Sequence, residues 1–168
     1  MSEPVLILMG SKSDWDVLRE TGGELDRFEI GWRAHVCSAH RSLARTLELV
    51  RDGERDGVRV FICGAGMAAH LAGVVAAATT RPVIGVPLAG GVGDGLDALL
   101  STVQMPGGVP VATVTVGKAG ARNAAVLAAE ILALSDSQLE ERLRSARKAQ
   151  ADAVAEADAT LDRGRARS

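Results

Sequence analysis

The chain has 168 residues, 47% of them hydrophobic and 24% charged, with 19 Lys plus Arg against 21 Asp plus Glu and a net charge of -2. That is a globular composition, long enough to bury one domain's core without disulfide or metal staples. The slightly acidic balance argues against nucleic acid as a partner, and two Trp, two Phe and no Tyr leave no row of platforms for stacking bases. No apolar run approaches the roughly 18 residues of a membrane span, and no basic segment leads into a long apolar stretch, so neither a membrane span nor a secretory signal is expected. Cys37 and Cys63 form no C-x-x-C pair and read as reduced thiols of a cytoplasmic protein.

In chain order, short apolar runs alternate with helical patterns. Val5–Met9 reads as a buried strand ending at Gly10. Trp15, Leu18, Gly22, Leu25 and Phe28 then recur at helical spacing, with Ser13 as N-cap and Gly22-Gly23 weakening the middle. Ile30–Cys37 reads as the second strand, and Leu43, Leu47 and Val50 as the buried face of the next helix. Val58–Cys63, Pro82–Val86 and Val109–Val116 read as further strands, with helices predicted over Ala68–Ala78 and Leu96–Val103. A last core helix is predicted with Ala124, Leu127, Ile131 and Leu134 on one face.

Strand and helix in alternation imply a parallel sheet covered on both faces, joined by right-handed crossovers. Five such units predict an α/β fold, a flavodoxin-like three-layer sandwich with a five-stranded parallel sheet, and too few units for a closed barrel. The domain is expected to span residues 1–135. A charged helix over residues 136–162 carries a thin seam of Leu139, Leu143, Ala146, Ala153 and Leu161. It suits either a solvated terminal helix or an arm packing on a neighbouring subunit. Residues 163–168 read as a frayed basic tail.

Open parallel sheets bind ligands outside the carboxyl ends of their strands. Four segments fall there: Gly10-Ser11-Lys12-Ser13-Asp14, Ser38-Ala39-His40-Arg41, Gly64–His70 and Pro87–Asp94. Ser11 and Ser13 at a helix start offer N–H groups and hydroxyls to an anion. Asp14 would repel that anion and better suits sugar hydroxyls, so a phosphate there needs a cation, which Arg41 could supply through its fork of donors. His40 is the candidate proton carrier, since histidine is the usual residue for that task at a strand end, and His70 stands at the same sheet edge. His35, inside a strand, reads as structural, and the three histidines lack metal-site spacing, so no metal is expected. Gly64, Gly66 and Ala69 match G-x-G-x-x-A, but after the wrong strand and without the acidic residue a dinucleotide needs, so the glycines read as backbone clearance for a ligand. Cys37 and Cys63 lack an activating base, and Ser38 and Ser101 lack an acid–His pair, so covalent catalysis is not expected.

Taken together, Gly10-Ser11-Lys12-Ser13-Asp14-Trp15, Ser38-Ala39-His40-Arg41, Ala65-Gly66-Met67-Ala68-Ala69-His70-Leu71, Gly85-Val86-Pro87 and Leu99–Pro106 are highly specific. From Val5 to Leu134 the chain resembles the 5-(carboxyamino)imidazole ribonucleotide mutases of bacterial purine biosynthesis. These form one branch of the aminoimidazole ribonucleotide carboxylase family. The resemblance implies transfer of a carboxylate from the exocyclic amine of an imidazole ribonucleotide to ring carbon four, without cofactor, metal or ATP. By that resemblance Ser11, Ser13 and Arg41 hold the phosphate, with Ser38 beside them, and Asp14 holds the ribose hydroxyls. His40 is the general acid and base, and Gly66 and His70 shape the carboxylate pocket. It also implies a homo-oligomer, an octamer, which would occupy the terminal helix. A direct carboxylase, a paralogue acting on a related nucleotide, and a non-catalytic nucleotide-binding module remain as alternatives.

Overall fold

The computed structural model describes residues 3–161. Five strands, β1 (Val5–Met9), β2 (Trp32–Val36), β3 (Val60–Gly66), β4 (Val83–Leu88) and β5 (Ala112–Thr113), alternate with α1 (Trp15–Arg27), α2 (Leu43–Arg55), α3 (Leu71–Ala78) and α4 (Leu96–Val103). Two further helices follow, α5 (Gly117–Ala133) and α6 (Ser137–Thr160). All pairings are parallel and the strand order is β2-β1-β3-β4-β5, the flavodoxin-like order expected.

Side chains alternate across the sheet and build two cores. Val5, Ile7 and Met9 of β1, Val60 and Ile62 of β3, and Ile84, Val86 and Leu88 of β4 pack under α1 and α5. Leu6, Leu8, Phe61 and Cys63 face the other way, onto α2 and α3. Strands buried on both faces explain the unbroken apolar runs in the sequence.

Several boundaries differ from expectation, each for a local reason. α1 runs unbroken through Gly22, where a Cβ would stand 2.6 Å from the Trp32 ring, so this glycine is a packing requirement and not a break. Its N-cap is Asp14, preceded by a 3-10 turn over Lys12–Asp14 capped at Ser11; Ser13 caps neither. Ile30 donates its N–H to Leu25 and closes α1, so β2 begins only at Trp32. β3 continues to Gly66 because Gly64, Ala65 and Gly66 pair with Val86, Pro87 and Leu88. α3 starts at Leu71, after Met67 takes φ 55°. β5 is only Ala112–Thr113, paired with Ile84 and Gly85 of β4; upstream, Pro110 has no N–H to extend the ladder. The buried face of α2 is Thr46, Leu49, Val50 and Gly53, with Leu43 exposed. That of α5 is mainly alanines, Ala121, Ala124, Ala125, Ala128 and Ala129, with Leu132, while Leu134 is 89% exposed.

The seam of α6 divides. Leu139 and Leu143 are buried in the chain's own core, and Arg142 donates to the Phe28 carbonyl at 3.1 Å, so this half needs no neighbour. Every residue from Arg147 to Leu161, including Ala153, is exposed. The expected frayed tail over 163–168 lies outside the described residues.

Candidate active site

The carboxyl ends of β1 to β4 bring the four expected segments to one cavity of about 560 Å³, within the range of small-molecule sites. Its lining includes Ser11, Ser13, Asp14, Ser38, His40, Arg41, Gly66 and His70, all of the candidate residues. Gly64 is not among them. A Cβ there would lie 2.5 Å from Leu18, so Gly64 clears a helix side chain and not a ligand.

On the β1 side, the Ser11 N–H donates to Asp14 Oδ2 at 2.8 Å, and the Ser13 hydroxyl donates to Ser11 Oγ at 3.0 Å. Burial raises the Asp14 carboxyl above its usual range, against the lowering pull of the Ser11 and Gly10 amides and the Arg41 charge. The turn after β2 is tied by the Ser38 N–H donating to Ser42 Oγ at 2.9 Å. Ser38 Oγ in turn accepts the Arg41 amide at 3.2 Å and the Arg41 Nε at 3.5 Å. A terminal guanidinium nitrogen of Arg41 donates to the Gly10 carbonyl at 3.0 Å, tying the first two loops together. Arg41 therefore stands as an exposed cation held by the Ser38 hydroxyl and the Gly10 carbonyl, in the same cavity as Ser11 and Ser13.

His40 Nε2 and His70 Nδ1 lie 2.8 Å apart, the rings nearly perpendicular at 86°. One ring nitrogen donates and the other accepts, so a single proton lies between them. Their thirty-residue separation is closed by the parallel neighbours β1, β2 and β3. His35 is absent from this cavity. It lines a separate groove with Trp15 and Trp32, and its pKa is lowered by burial, then by Arg33 and Arg45.

Both cysteines are free and buried. Burial pushes the Cys37 thiol up, partly opposed by Thr46, and pushes Cys63 up well above its usual value, which opposes a thiolate at either position.

Ala39, Met67, Ala68 and residues 88–91 also line the wall; they lie within the expected strand-end segments, but no individual role was read for them, and Leu71 lies one residue beyond those segments. Most of these offer backbone or small apolar surface and no chemical signature.

Comparison with known proteins agrees with this geometry. The family model described as AIR carboxylase matches residues 4–153. The N5-carboxyaminoimidazole ribonucleotide mutase of Brucella melitensis is 47% identical over 156 residues, covering 93% of this chain and 96% of that protein. The Mycobacterium leprae protein of the same name is 49% identical over 159 residues, covering 95% of this chain and 92% of its own. Among solved structures, Treponema denticola PurE superposes with a TM-score of 0.87 at 30% identity, covering 95% of this chain and 98% of that one. With a family match over most of its length and the expected residues gathered in one cavity, this chain belongs to the AIR carboxylase family.

Proposed function

We propose that the chain is an N5-carboxyaminoimidazole ribonucleotide mutase of purine biosynthesis. It moves the carboxylate from the exocyclic amine to ring carbon four. The observation that carries the chemistry is the His40–His70 pair at 2.8 Å, in one cavity with Arg41 and the serine turn. Relatives named as this mutase at 47–49% identity support the substrate.

In this reading Ser11, Ser13 and Arg41 hold the phosphate, Ser38 sets the Arg41 side chain, and Asp14 binds the ribose hydroxyls. His40 keeps its Nε2–H on His70 Nδ1, so His40 Nδ1 alone exchanges the proton. The imidazolium form protonates the exocyclic amine as the nitrogen–carboxylate bond breaks and carbon dioxide forms. Ring carbon four then attacks the carbon dioxide, and neutral His40 removes the proton from that carbon. The histidine pair begins and ends with the same number of protons. Gly66 leaves room beside His70 for the migrating carboxylate.

Supplying the carboxyamino nucleotide and, separately, the uncarboxylated nucleotide with bicarbonate tests the reaction. The mutase reading expects fast conversion of the first only. Fast conversion of the second would identify a direct carboxylase, and conversion of neither a binding module.

Asp14 tests the sugar assignment. Because burial raises its folded-state pKa, this group's contribution to stability is present at low pH and is lost as pH rises through that raised value. Asp14→Asn should therefore leave thermal stability at pH 7 unchanged or higher. Ribonucleotide affinity should fall about tenfold, the scale of a lost hydrogen bond to a charged group. Wild-type affinity should fall on acidification, beginning above the ordinary carboxylate range. Calorimetry across pH checks both; lower stability with unchanged affinity would contradict the role.

The exposed half of α6, with Val154 at 70% exposure and Leu161 just past its end at 63%, fits an arm for subunit packing in a cytoplasmic homo-oligomer, by resemblance an octamer. Among the described residues no helix is long and apolar enough to cross a membrane. Ending the chain after Arg147 should keep the domain folded, since Leu139 and Leu143 remain, but lower the assembly mass in light scattering. An unchanged mass would remove this role.

A further inference from the structure

We infer that Asp97 is a positioning residue that clips the glycine-rich loop after β4 against the carboxylate end of the cavity and so keeps released carbon dioxide inside. The inference rests on the mutase reading above. Ala89, Gly90 and Gly91 line the cavity together with Gly66, Met67 and His70 from the β3 side. The loop they open has little regularity of its own. Gly90, Gly91, Gly93, Asp94 and Gly95 all have positive φ, from 52° to 111°. Backbone of this kind is entropically expensive to hold in one shape.

Asp97 supplies a tie. Its Oδ2 accepts the Val92 N–H at 3.0 Å, across the loop, while its Oδ1 accepts the Ala98 N–H at 2.8 Å. The Ser101 hydroxyl donates to the Asp97 carbonyl at 2.7 Å one turn later, and Asp97 lies in α4. The half-buried carboxylate is thus fixed to a helix and reaches back to the loop. Gly91 has been kept free of a side chain by the same contact: a Cβ there would collide with Asp97 Oδ2 and stand 3.2 Å from Met67 Cγ. Gly91 thus sits where both the Asp97 and the Met67 side chains crowd the loop, so a shift of this segment changes the wall that faces Met67 and His70.

That wall faces the migrating group. Carbon dioxide is neutral and gives Arg41 or a backbone amide little to hold, so its retention depends on closed walls that exclude water. In the step concerned, the nitrogen–carboxylate bond breaks with protonation of the amine, freeing one carbon dioxide. Either ring carbon four captures it, releasing its own proton, or it escapes and leaves the uncarboxylated amine.

The test follows carboxylate-labelled carboxyamino nucleotide with the full-length protein, measuring the label lost as carbon dioxide per substrate consumed, after subtracting enzyme-free decay. Asp97→Asn keeps the side-chain volume but cannot accept both amides, and Asp97→Ala accepts neither. Each should raise the lost fraction about tenfold, the shift in loop closure expected from one hydrogen bond to a charged group. Gly91→Ala attacks the clip from the loop side and should act the same way, with no further increase when added to Asp97→Ala. A merely structural loss would lower the number of working sites without changing the fraction lost per turnover. Fractions equal to wild type in the Asp97 variants, or in Gly91→Ala where those do not fold, would overturn the inference while leaving the mutase reading intact. A wild type that converts no carboxyamino nucleotide would overturn both.

Discussion

Replacing His40 by Asn should lower kcat by at least roughly a hundredfold, the contribution of a positioned proton carrier. KM should change far less. Asn fills similar space and can still hydrogen-bond, but its amide neither gives up nor takes on a proton as an acid or base near neutral pH. The His40 ring touches His70 at 2.8 Å and lines the cavity; in the proposed mechanism its loss removes the acid for the amine and the base for the ring carbon together. Both half-reactions should then fall together, because one nitrogen serves both. Steady-state kinetics with a ligand-binding control separates this from a binding defect. A His40→Asn protein with near-normal turnover would show that the proton travels elsewhere.

Arg41→Ala should weaken ribonucleotide binding by about 1.5–3 kcal/mol, the range for a charge-assisted hydrogen bond, and leave the dephosphorylated nucleoside almost unaffected. The side chain is exposed and held by the Gly10 carbonyl and Ser38 Oγ, so its removal leaves no buried charge unpaired. The effect should weaken as ionic strength rises, because the exposed cation is screened. Titration calorimetry with the two ligands checks this, and equal losses for both would place Arg41 away from the phosphate.

The architecture was legible because parallel strands buried on both faces write themselves as apolar runs. Val5–Met9 and Leu96–Val103 match the sequence reading end to end. What the runs do not carry is which backbone partner wins at each strand end. Ile30 goes to the α1 terminus and Gly64 to Gly66 stay in the ladder, both decided by partners distant or hidden in one-dimensional pattern. Helix phase failed where burial falls on small residues: in α5 alanines fill the interface and Leu134 points to water.

The site was more legible than the fold's edges. Ser11, Asp14, His40, Arg41 and His70 advertise chemistry by type, and the rule that ligands sit at strand carboxyl ends gathered them without coordinates. The direct His40–His70 contact was not legible, since only the sheet order places those loops side by side. Nor was Asp97, which acts through the Val92 amide, although the glycine-rich segment it ties was expected at this edge.

Proton NMR of the carboxyamino ribonucleotide incubated with the purified protein tests the central claim most directly. The account predicts that the signal of the proton on ring carbon four disappears at the rate of turnover, with the ribose and phosphate signals retained and no added bicarbonate required. Persistence of that ring proton, at a protein concentration that saturates binding, would contradict it.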